Sequence, residues 1–126
     1  MKEIVYTEQA PKAIGPYSQG VCATGKVMFI SGQIPVDPQT GVFAGDDIKA
    51  QTQQSILNLK AVLEAAGGSL ENVVKTTVFL KDMGDFSFMN EVYSSFFPKD
   101  CPARSAIAVV SLPRDARVEI EAIAVL

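Results

Sequence analysis

The sequence predicts an α+β protein in which two helices cover one face of a single mixed β-sheet. Residues 46–66 repeat apolar side chains with helical spacing, whereas residues 73–80 are rich in β-branched side chains. The predicted elements follow the order strand, strand, strand, helix, strand, helix, strand, strand. A chain of 126 residues has the usual length of one domain, which we expect to span residues 1–126.

The first third of the chain predicts short strands separated by loops. Strands are expected at 4–7, 17–24 and 26–31, and the last two would form a hairpin through Thr24-Gly25-Lys26. Two prolines and a glycine in residues 11–16 predict a loop. A longer loop with turn-forming residues is predicted at 32–41.

The middle and the last third predict both helices and the remaining strands. Asp46 or Asp47 would cap a helix that ends near Ala66, before Gly67-Gly68. A strand at 73–80, a helix at 83–97 and strands at 106–111 and 117–126 follow. The predicted buried side chains of the two helices are Ile56, Leu59, Val62, Leu63 and Ala66, and Phe86, Met89, Val92, Tyr93 and Phe96.

The predicted strands 73–80 and 106–111 carry apolar side chains on both faces. Two helices cover only one face of such a sheet, so the other face predicts an oligomer. The alternative is that a covering helix escapes the prediction.

Composition excludes several classes of function. The chain is 48% apolar and 20% charged, with a net charge of -3, which is typical of a compact protein. Scattered Lys and Arg residues argue against a nucleic-acid partner. The sequence has no apolar run long enough for a membrane span and no apolar run of a signal peptide near its beginning, so a cytoplasmic location is expected.

The chain contains no histidine and two cysteines, Cys22 and Cys101. Ser-His and Cys-His nucleophile pairs and imidazole metal ligands are therefore excluded. We expect both thiols to be free and expect no metal site. Chemistry must then rely on carboxylates, tyrosine, arginine, backbone groups and water.

Arg104 stands two residues before Ala106, where an apolar run begins. Its planar guanidinium suits a carboxylate in a bidentate pair, and a small acidic metabolite could supply that carboxylate. A structural salt bridge to Glu119 or Glu121 is the alternative.

Several motifs in a fixed order make the whole chain similar to one family. They are Ala13-Ile14-Gly15-Pro16-Tyr17-Ser18-Gln19, Phe29-Ile30-Ser31-Gly32-Gln33-Ile34-Pro35, Asn72-Val73-Val74-Lys75, Phe97-Pro98, Pro102-Ala103-Arg104-Ser105 and Val118-Glu119-Ile120-Glu121-Ala122. The chain resembles the Rid/YjgF reactive-intermediate deaminases, and within them the RidA subgroup. The resemblance implies a chorismate-mutase-like fold and a homotrimer with sites between subunits. It also implies hydrolysis of 2-imino acids and their enamine tautomers to 2-keto acids and ammonia, without metal or cofactor. Pyridoxal-phosphate enzymes release such intermediates.

The resemblance also implies a set of site residues. They are Arg104, Tyr17, Ser31, Gly32, Asn90, Ala106 and Glu119. Arg104 would bind the substrate carboxylate, and Glu119 would position or activate water, with Tyr17 nearby. Structural alternatives remain: Glu119 could pair with Arg117 or Lys75, Tyr17 could be a hairpin core residue, and Asn90 could be solvated.

The chain departs from many relatives at Ala106, where they carry cysteine. The backbone carbonyl survives this change but a thiol nucleophile does not, so a water-based route is expected. Two other functions stay open: a non-catalytic binder of 2-keto acids or similar carboxylates, and an interaction protein acting as a chaperone or translation regulator. Ribonuclease activity, attributed to some relatives, has little support from a chain with no histidine and a net charge of -3.

Overall fold

The computed structural model describes residues 2–126, which form two β-sheets and two α-helices. The elements in chain order are β1 (Lys2–Val5), β2 (Gly20–Ala23), β3 (Val27–Gln33), α1 (Ile48–Ala65), β4 (Val73–Leu80), α2 (Phe86–Phe96), β5 (Ala103–Ala108) and β6 (Val118–Val125). Short 3₁₀ helices precede β4, α2 and β6. The predicted mixture of two helices with a mixed sheet is confirmed.

The predicted single six-stranded sheet and its first hairpin are wrong. Strand β2 pairs antiparallel with β1 in a separate two-stranded ribbon, whereas β3 pairs with β6. The chain does turn at Gly25, but Lys26 exchanges backbone hydrogen bonds with Leu126 at the far end of the sequence. A turn signal identifies where a strand ends, and the partner strand depends on the tertiary fold.

The larger sheet has the strand order β3-β6-β4-β5, and only β4 and β5 run parallel. Strand β4 matches its predicted range, and β6 is close to its prediction. Strand β5 begins three residues earlier than predicted and ends at Ala108, so Val109 and Val110 lie beyond it. The charge of Arg104 and the neighbouring Pro102 concealed this beginning, because both oppose a strand prediction.

Helix α1 begins and ends where the sequence predicts. The Asp47 side chain accepts a hydrogen bond from the Ala50 amide, 2.9 Å away. At the other end Gly67 has a φ of 84°, and the amide of Gly68 donates to the Leu63 carbonyl at 2.9 Å. Val62 and Ala66 were predicted to be buried and are exposed. The buried stripe runs instead toward the helix beginning, through Gln51, Thr52 and Ser55.

Both helices pack on one face of the larger sheet and against each other: α1 contacts β3, β6 and α2, and Tyr93 of α2 is hydrogen-bonded to Thr76 of β4. The second helix is shorter than predicted, because a 3₁₀ turn occupies residues 83–85. Met89 and Tyr93 are its fully buried side chains, and Phe86, Val92 and Phe96 are half-buried. The core contains Ile56, Leu59, Leu63, Val73, Val78, Leu80, Met89, Tyr93, Val118 and Ile120.

The other face of the larger sheet, here called the open face, has no covering element in residues 2–126. The face carries Phe29, with 76% of its surface exposed, and Val27 and Ile107, at 52% and 47%. Polar side chains share it, including Glu119 and Glu121. The open face is therefore only partly apolar, unlike the sequence prediction. Neither α-helix within residues 2–126 has the length and apolarity that a membrane span requires.

Candidate active site

Arg104 lies on the helix-covered face of the sheet, at the edge strand β5. Its backbone is in register with Thr76 of β4, and its side chain meets α2. Residues 86, 90 and 93 share one face of α2 because they are separated by four and three positions. The Arg104 guanidinium packs against that face of α2.

The guanidinium of Arg104 is held at one end and surrounded by aromatic rings. Its Nη1 donates a hydrogen bond to Oδ1 of Asn90 at 2.7 Å. The Arg104 Cζ atom lies 4.8 Å from the ring centroid of Tyr93, 5.5 Å from that of Tyr17 and 5.6 Å from that of Phe86. Rings at these distances attract a cation through their negative faces.

Burial shifts the pKa of both the Arg104 guanidinium and the Tyr93 hydroxyl. Desolvation lowers the pKa of Arg104 from its ordinary value, although the guanidinium stays protonated at neutral pH. Burial raises the pKa of Tyr93 to about 12. The Tyr93 hydroxyl therefore stays neutral, and it shares a 2.7 Å hydrogen bond with the Thr76 hydroxyl.

The loop before β2 brings Tyr17 to Arg104. Ser18 bridges to Ala103, since its amide donates to the Pro102 carbonyl at 3.1 Å and its hydroxyl donates to the Cys101 carbonyl at 2.5 Å. This double attachment fixes the neighbouring Tyr17 beside the guanidinium. Tyr17 lies outside any strand, so its alternative role in a hairpin core is wrong.

Ala106 belongs to the same group as Arg104. It lies two residues further along β5, pairs with Val78, and is half-buried against the core. One chain therefore brings together four of the predicted site residues: Arg104, Tyr17, Asn90 and Ala106.

The other three predicted residues form a second group around the β-bulge in β3. Ser31 and Gly32 lie where the pairing of β3 with β6 shifts register. Glu119 of β6 lies directly against Gly32, because a Cβ added there would collide with the Glu119 carboxylate and lie 2.8 Å from its Cδ. Because Gly32 has no side chain, the Glu119 carboxylate can occupy the space beside it.

The two groups lie on opposite faces of the larger sheet and toward its opposite edges. Glu119 is in register with Phe79 on the open face, whereas Arg104 is in register with Thr76 on the helix-covered face. Strand β5 and strand β3 are the two edges of the sheet, which places them about 14 Å apart at three strand spacings. A single chain does not bring Glu119 to Arg104.

The salt bridges considered from the sequence are wrong. Within residues 2–126, ion pairs join Lys49 to Glu91, Lys81 to Asp115, and Arg117 to Asp85. Arg104 pairs with neither Glu119 nor Glu121, and Arg117 uses Asp85 rather than Glu119. The described chain also offers no cluster of His, Cys, Asp and Glu side chains that could hold a metal ion.

Neither cysteine provides a nucleophilic thiolate to the Arg104 group. Both are free, and Cys22 is exposed on β2. The Cys101 thiol donates to the Phe97 carbonyl at 3.2 Å, and burial raises its pKa. A raised pKa favours the thiol over the nucleophilic thiolate.

A cavity of about 490 Å³ lies away from both groups, near the end of α2. Its lining comprises Lys2, Leu70, Glu71, Ser95, Phe96, Phe97, Pro98, Lys99 and Asp100. A second cavity, of about 340 Å³, touches Gly32 but otherwise contains none of the predicted site residues. The candidate site is therefore defined by its chemistry rather than by the depth of a cavity.

Comparison with known proteins identifies the family. Residues 7–126 match the family model described as Endoribonuclease L-PSP, which covers the YjgF/Rid proteins. The chain belongs to this family. The Rid/YjgF resemblance predicted from the motifs is thereby confirmed.

Individual Rid/YjgF relatives match over nearly their full length. A RutC family protein of Pyrococcus horikoshii is 58% identical, with 98% of each chain covered. A 2-iminobutanoate/2-iminopropanoate deaminase of Salmonella typhimurium is 52% identical, with 99% of this chain and 98% of the relative covered. The crystal structure of E. coli TdcF with bound serine has 47% identity and a TM-score of 0.78, over 98% of both chains.

Sequence reasoning missed three residues that contact or flank Arg104: Gly15, Phe86 and Tyr93. The helical periodicity of α2 marks Phe86 and Tyr93 as buried, but it does not distinguish a core ring from one that faces a guanidinium. Gly15 lies in a loop, where the sequence indicates only a break in regular structure.

Proposed function

We propose that this chain hydrolyses 2-imino acids, and their enamine tautomers, to 2-keto acids and ammonia. The observation that carries the proposal is Arg104, held through Nη1 by Asn90 and with its Nη2 and Nε making no hydrogen bond to the described chain. The 52% identity to the Salmonella deaminase supports it. Typical substrates would be 2-iminopropanoate and 2-iminobutanoate.

In this proposal Arg104 binds the substrate carboxylate as a bidentate pair. The buried ring of Tyr93 and the half-buried rings of Tyr17 and Phe86 reduce the competing hydration of the guanidinium, which strengthens the pair. Tyr17 flanks the bound substrate, and the Ala106 backbone carbonyl accepts a hydrogen bond from the imine nitrogen or from water. Asn90 keeps the guanidinium in place.

The second group of residues would come from a neighbouring copy of the chain in a homotrimer. Glu119 lies on the open face, and the exposed apolar side chains of that face favour burial against another copy. Such packing would bring Glu119, Ser31 and Gly32 of one copy to Arg104 of the next. Each trimer would then hold three equivalent sites, as cyclic symmetry requires.

The proposed reaction is the addition of water to the C=N bond, followed by loss of ammonia. The water oxygen bonds to C2, Glu119 accepts a water proton, and the imine nitrogen takes up a proton to give a carbinolamine. The carbinolamine nitrogen then takes up a second proton, the hydroxyl gives up its proton to the Glu119 carboxylate, and the C–N bond breaks to leave the keto acid and ammonia. Glu119 thus passes the proton that it accepts in each step on to the nitrogen. Arg104 supplies orientation, since attack by a held water is effectively intramolecular. No thiol takes part.

The proposed substrates are short-lived and must be supplied by another enzyme. Pyridoxal-phosphate dehydratases that eliminate water from serine or threonine release enamines of this class. We propose a functional link to such enzymes in the same compartment, which we take to be the cytoplasm.

A coupled assay tests the proposed activity. A threonine dehydratase or an amino-acid oxidase generates the imine, and its decay is followed with and without this protein. We expect decay well above the uncatalysed rate, with one ammonia and one keto acid formed for each imine. Decay at the uncatalysed rate would contradict the proposal.

The variant Arg104→Lys tests the carboxylate contact within that assay. Lysine keeps the charge but loses the planar fork, so kcat/KM should fall about ten- to a hundredfold, the effect of losing a charge-assisted hydrogen bond. Arg117→Lys is the matched control, because Arg117 forms an exposed ion pair with Asp85. Equal activity of both variants would exclude anchoring at Arg104.

A non-catalytic carboxylate binder is the second candidate. The E. coli TdcF structure holds serine, which carries a carboxylate, and Arg104 would serve a binder equally well. Binding of 2-oxobutanoate without any acceleration of imine decay would favour this function over the deaminase.

A further inference from the structure

We infer that Gly15 controls access of the substrate carboxylate to Arg104. The inference rests on the proposed function for the identity of the substrate, and it concerns how that substrate reaches the guanidinium. Gly15 has no assigned contact with substrate in the proposed mechanism.

The environment of Arg104 leaves few directions open to a ligand. Asn90 occupies Nη1, and the rings of Tyr17, Phe86 and Tyr93 lie within 5.6 Å of Cζ. A bidentate carboxylate bridges either Nη1 and Nη2 or Nε and Nη2, because those are the two forks that a guanidinium offers. Both forks include Nη2.

Gly15 flanks that atom. A Cβ added at Gly15 would lie 3.7 Å from Nη2 of Arg104, and 3.7 Å from Cδ2 and Cε2 of Tyr17. Gly15 is exposed and has no positive φ, so neither packing nor backbone conformation demands glycine there. What the missing side chain leaves free is the space beside Nη2.

A carboxylate oxygen bonded to Nη2 must lie about 2.8 Å from it. A methyl group at position 15 would stay at van der Waals distance from Nη2 and would narrow the space through which a carboxylate reaches that atom. A branched side chain extends into the space that the carboxylate oxygen requires. The loss of binding should therefore increase with the size of the side chain.

The series Gly15→Ala, Gly15→Ser and Gly15→Val tests this inference. Calorimetry with 2-oxobutanoate gives Kd, and the coupled imine assay gives KM and kcat. We expect Kd and KM to rise about two- to threefold for alanine, more for serine, and about ten- to a hundredfold for valine as a charge-assisted hydrogen bond is lost. We expect kcat to change less than KM, because the residues that act on the bound imine are unaltered.

Gly20→Ala and Gly20→Val are the matched controls. Gly20 also lacks a positive φ, and a Cβ there would make an ordinary 3.6 Å contact with Val5, in the β1-β2 ribbon. Both control variants should keep the Kd of the wild type. Circular dichroism tests whether each variant is folded. If Gly15→Val does not fold, the alanine and serine variants carry the test.

The outcomes separate this inference from the proposed function. A Kd that does not rise with the size of the side chain across the folded Gly15 series would overturn the inference, whatever the turnover. A graded Kd in a protein without imine hydrolysis would support the inference and contradict the proposed activity. Normal turnover with unchanged Kd in every Gly15 variant would leave the activity standing and the inference wrong.

Discussion

At the scale of single residues, the Tyr93–Thr76 pair connects the core to the candidate site. Both side chains are fully buried, and their hydroxyls are 2.7 Å apart. The Tyr93 ring also lies closest to the Arg104 guanidinium among the surrounding rings. The hydrogen bond fixes the ring, and the ring supports the guanidinium, so a change in the core should alter the site.

Removal of the Tyr93 hydroxyl should destabilise the protein through its partner. In Tyr93→Phe the buried Thr76 hydroxyl loses its hydrogen bond, and the free energy of unfolding should fall by about 1–3 kcal/mol. Thr76→Val should have a similar effect, and the double variant should cost less than the sum of the two. Denaturant unfolding measures all three, and additive losses would show that the hydroxyls do not interact.

The same pair predicts a decline of stability at alkaline pH. The pKa of Tyr93 is about 12 in the folded chain, against 10.0 for an ordinary tyrosine, so the folded state binds this proton more tightly. The resulting stabilisation is complete below pH 10 and is lost between pH 10 and 12. It corresponds to roughly 2–3 kcal/mol. Unfolding curves of Tyr93→Phe should show a smaller decline over that interval, and an identical decline would contradict the assignment.

Sequence patterns predicted the burial of individual residues near the candidate site better than they predicted how those residues are arranged. The motif around Arg104 suggested a carboxylate partner, and α2 periodicity predicted that Tyr93 is buried. The contact of Asn90 with Arg104 depends on how α2 crosses β5, which no local pattern encodes. The separation of Glu119 from Arg104 depends on strand register, since a shift by one residue moves a side chain to the other face.

At the scale of elements, local chemistry determines where α1 ends. Gly67 adopts a φ of 84° and has no atom within 4 Å of where a Cβ would be. The position therefore tests backbone conformation alone. Gly67→Ala should lower the free energy of unfolding by about 1–2 kcal/mol, the cost of a left-handed conformation for alanine. Gly67→Asn should cost less, because asparagine tolerates this conformation. Equal losses in thermal unfolding would contradict this interpretation of the cap.

Elements with strong local signals were predicted well, and pairings between them were not. The β-branched run of β4 and the two ends of α1 lie where the sequence places them. The predicted pairing of β2 with β3 is wrong: β2 pairs with β1, and β3 pairs with β6. Long-range pairing reflects the burial of both strands in one fold, and residues near the turn do not report it.

At the scale of the whole molecule, the open face is the feature that one chain leaves unexplained. Phe29 is the most exposed aromatic side chain on this face, at 76%, and it pairs in register with Ile123 of β6. The proposed trimer would bury it. Three chains of 13.5 kDa predict a particle of about 40 kDa in light scattering.

A charge on the open face should separate assembly from folding. Phe29→Asp would bury an unpaired carboxylate in the proposed interface at a cost of several kcal/mol, so we expect a folded monomer without deaminase activity. Val62→Asp, on the exposed side of α1, should stay trimeric and active. Val78→Asp should unfold, because Val78 lies in the core. A trimeric, active Phe29→Asp protein would place the interface elsewhere.

Mixing two inactive variants tests the shared site most directly. Arg104→Ala and Glu119→Gln should each lack imine hydrolysis, because each removes one half of every site. When the two are unfolded together, refolded and assayed, sites that combine an intact Arg104 with an intact Glu119 from different copies should restore about a quarter of wild-type turnover, as random assembly of a cyclic trimer requires. If the mixture stays as inactive as its separate components although mixed trimers form, Arg104 and Glu119 do not complete one site between subunits.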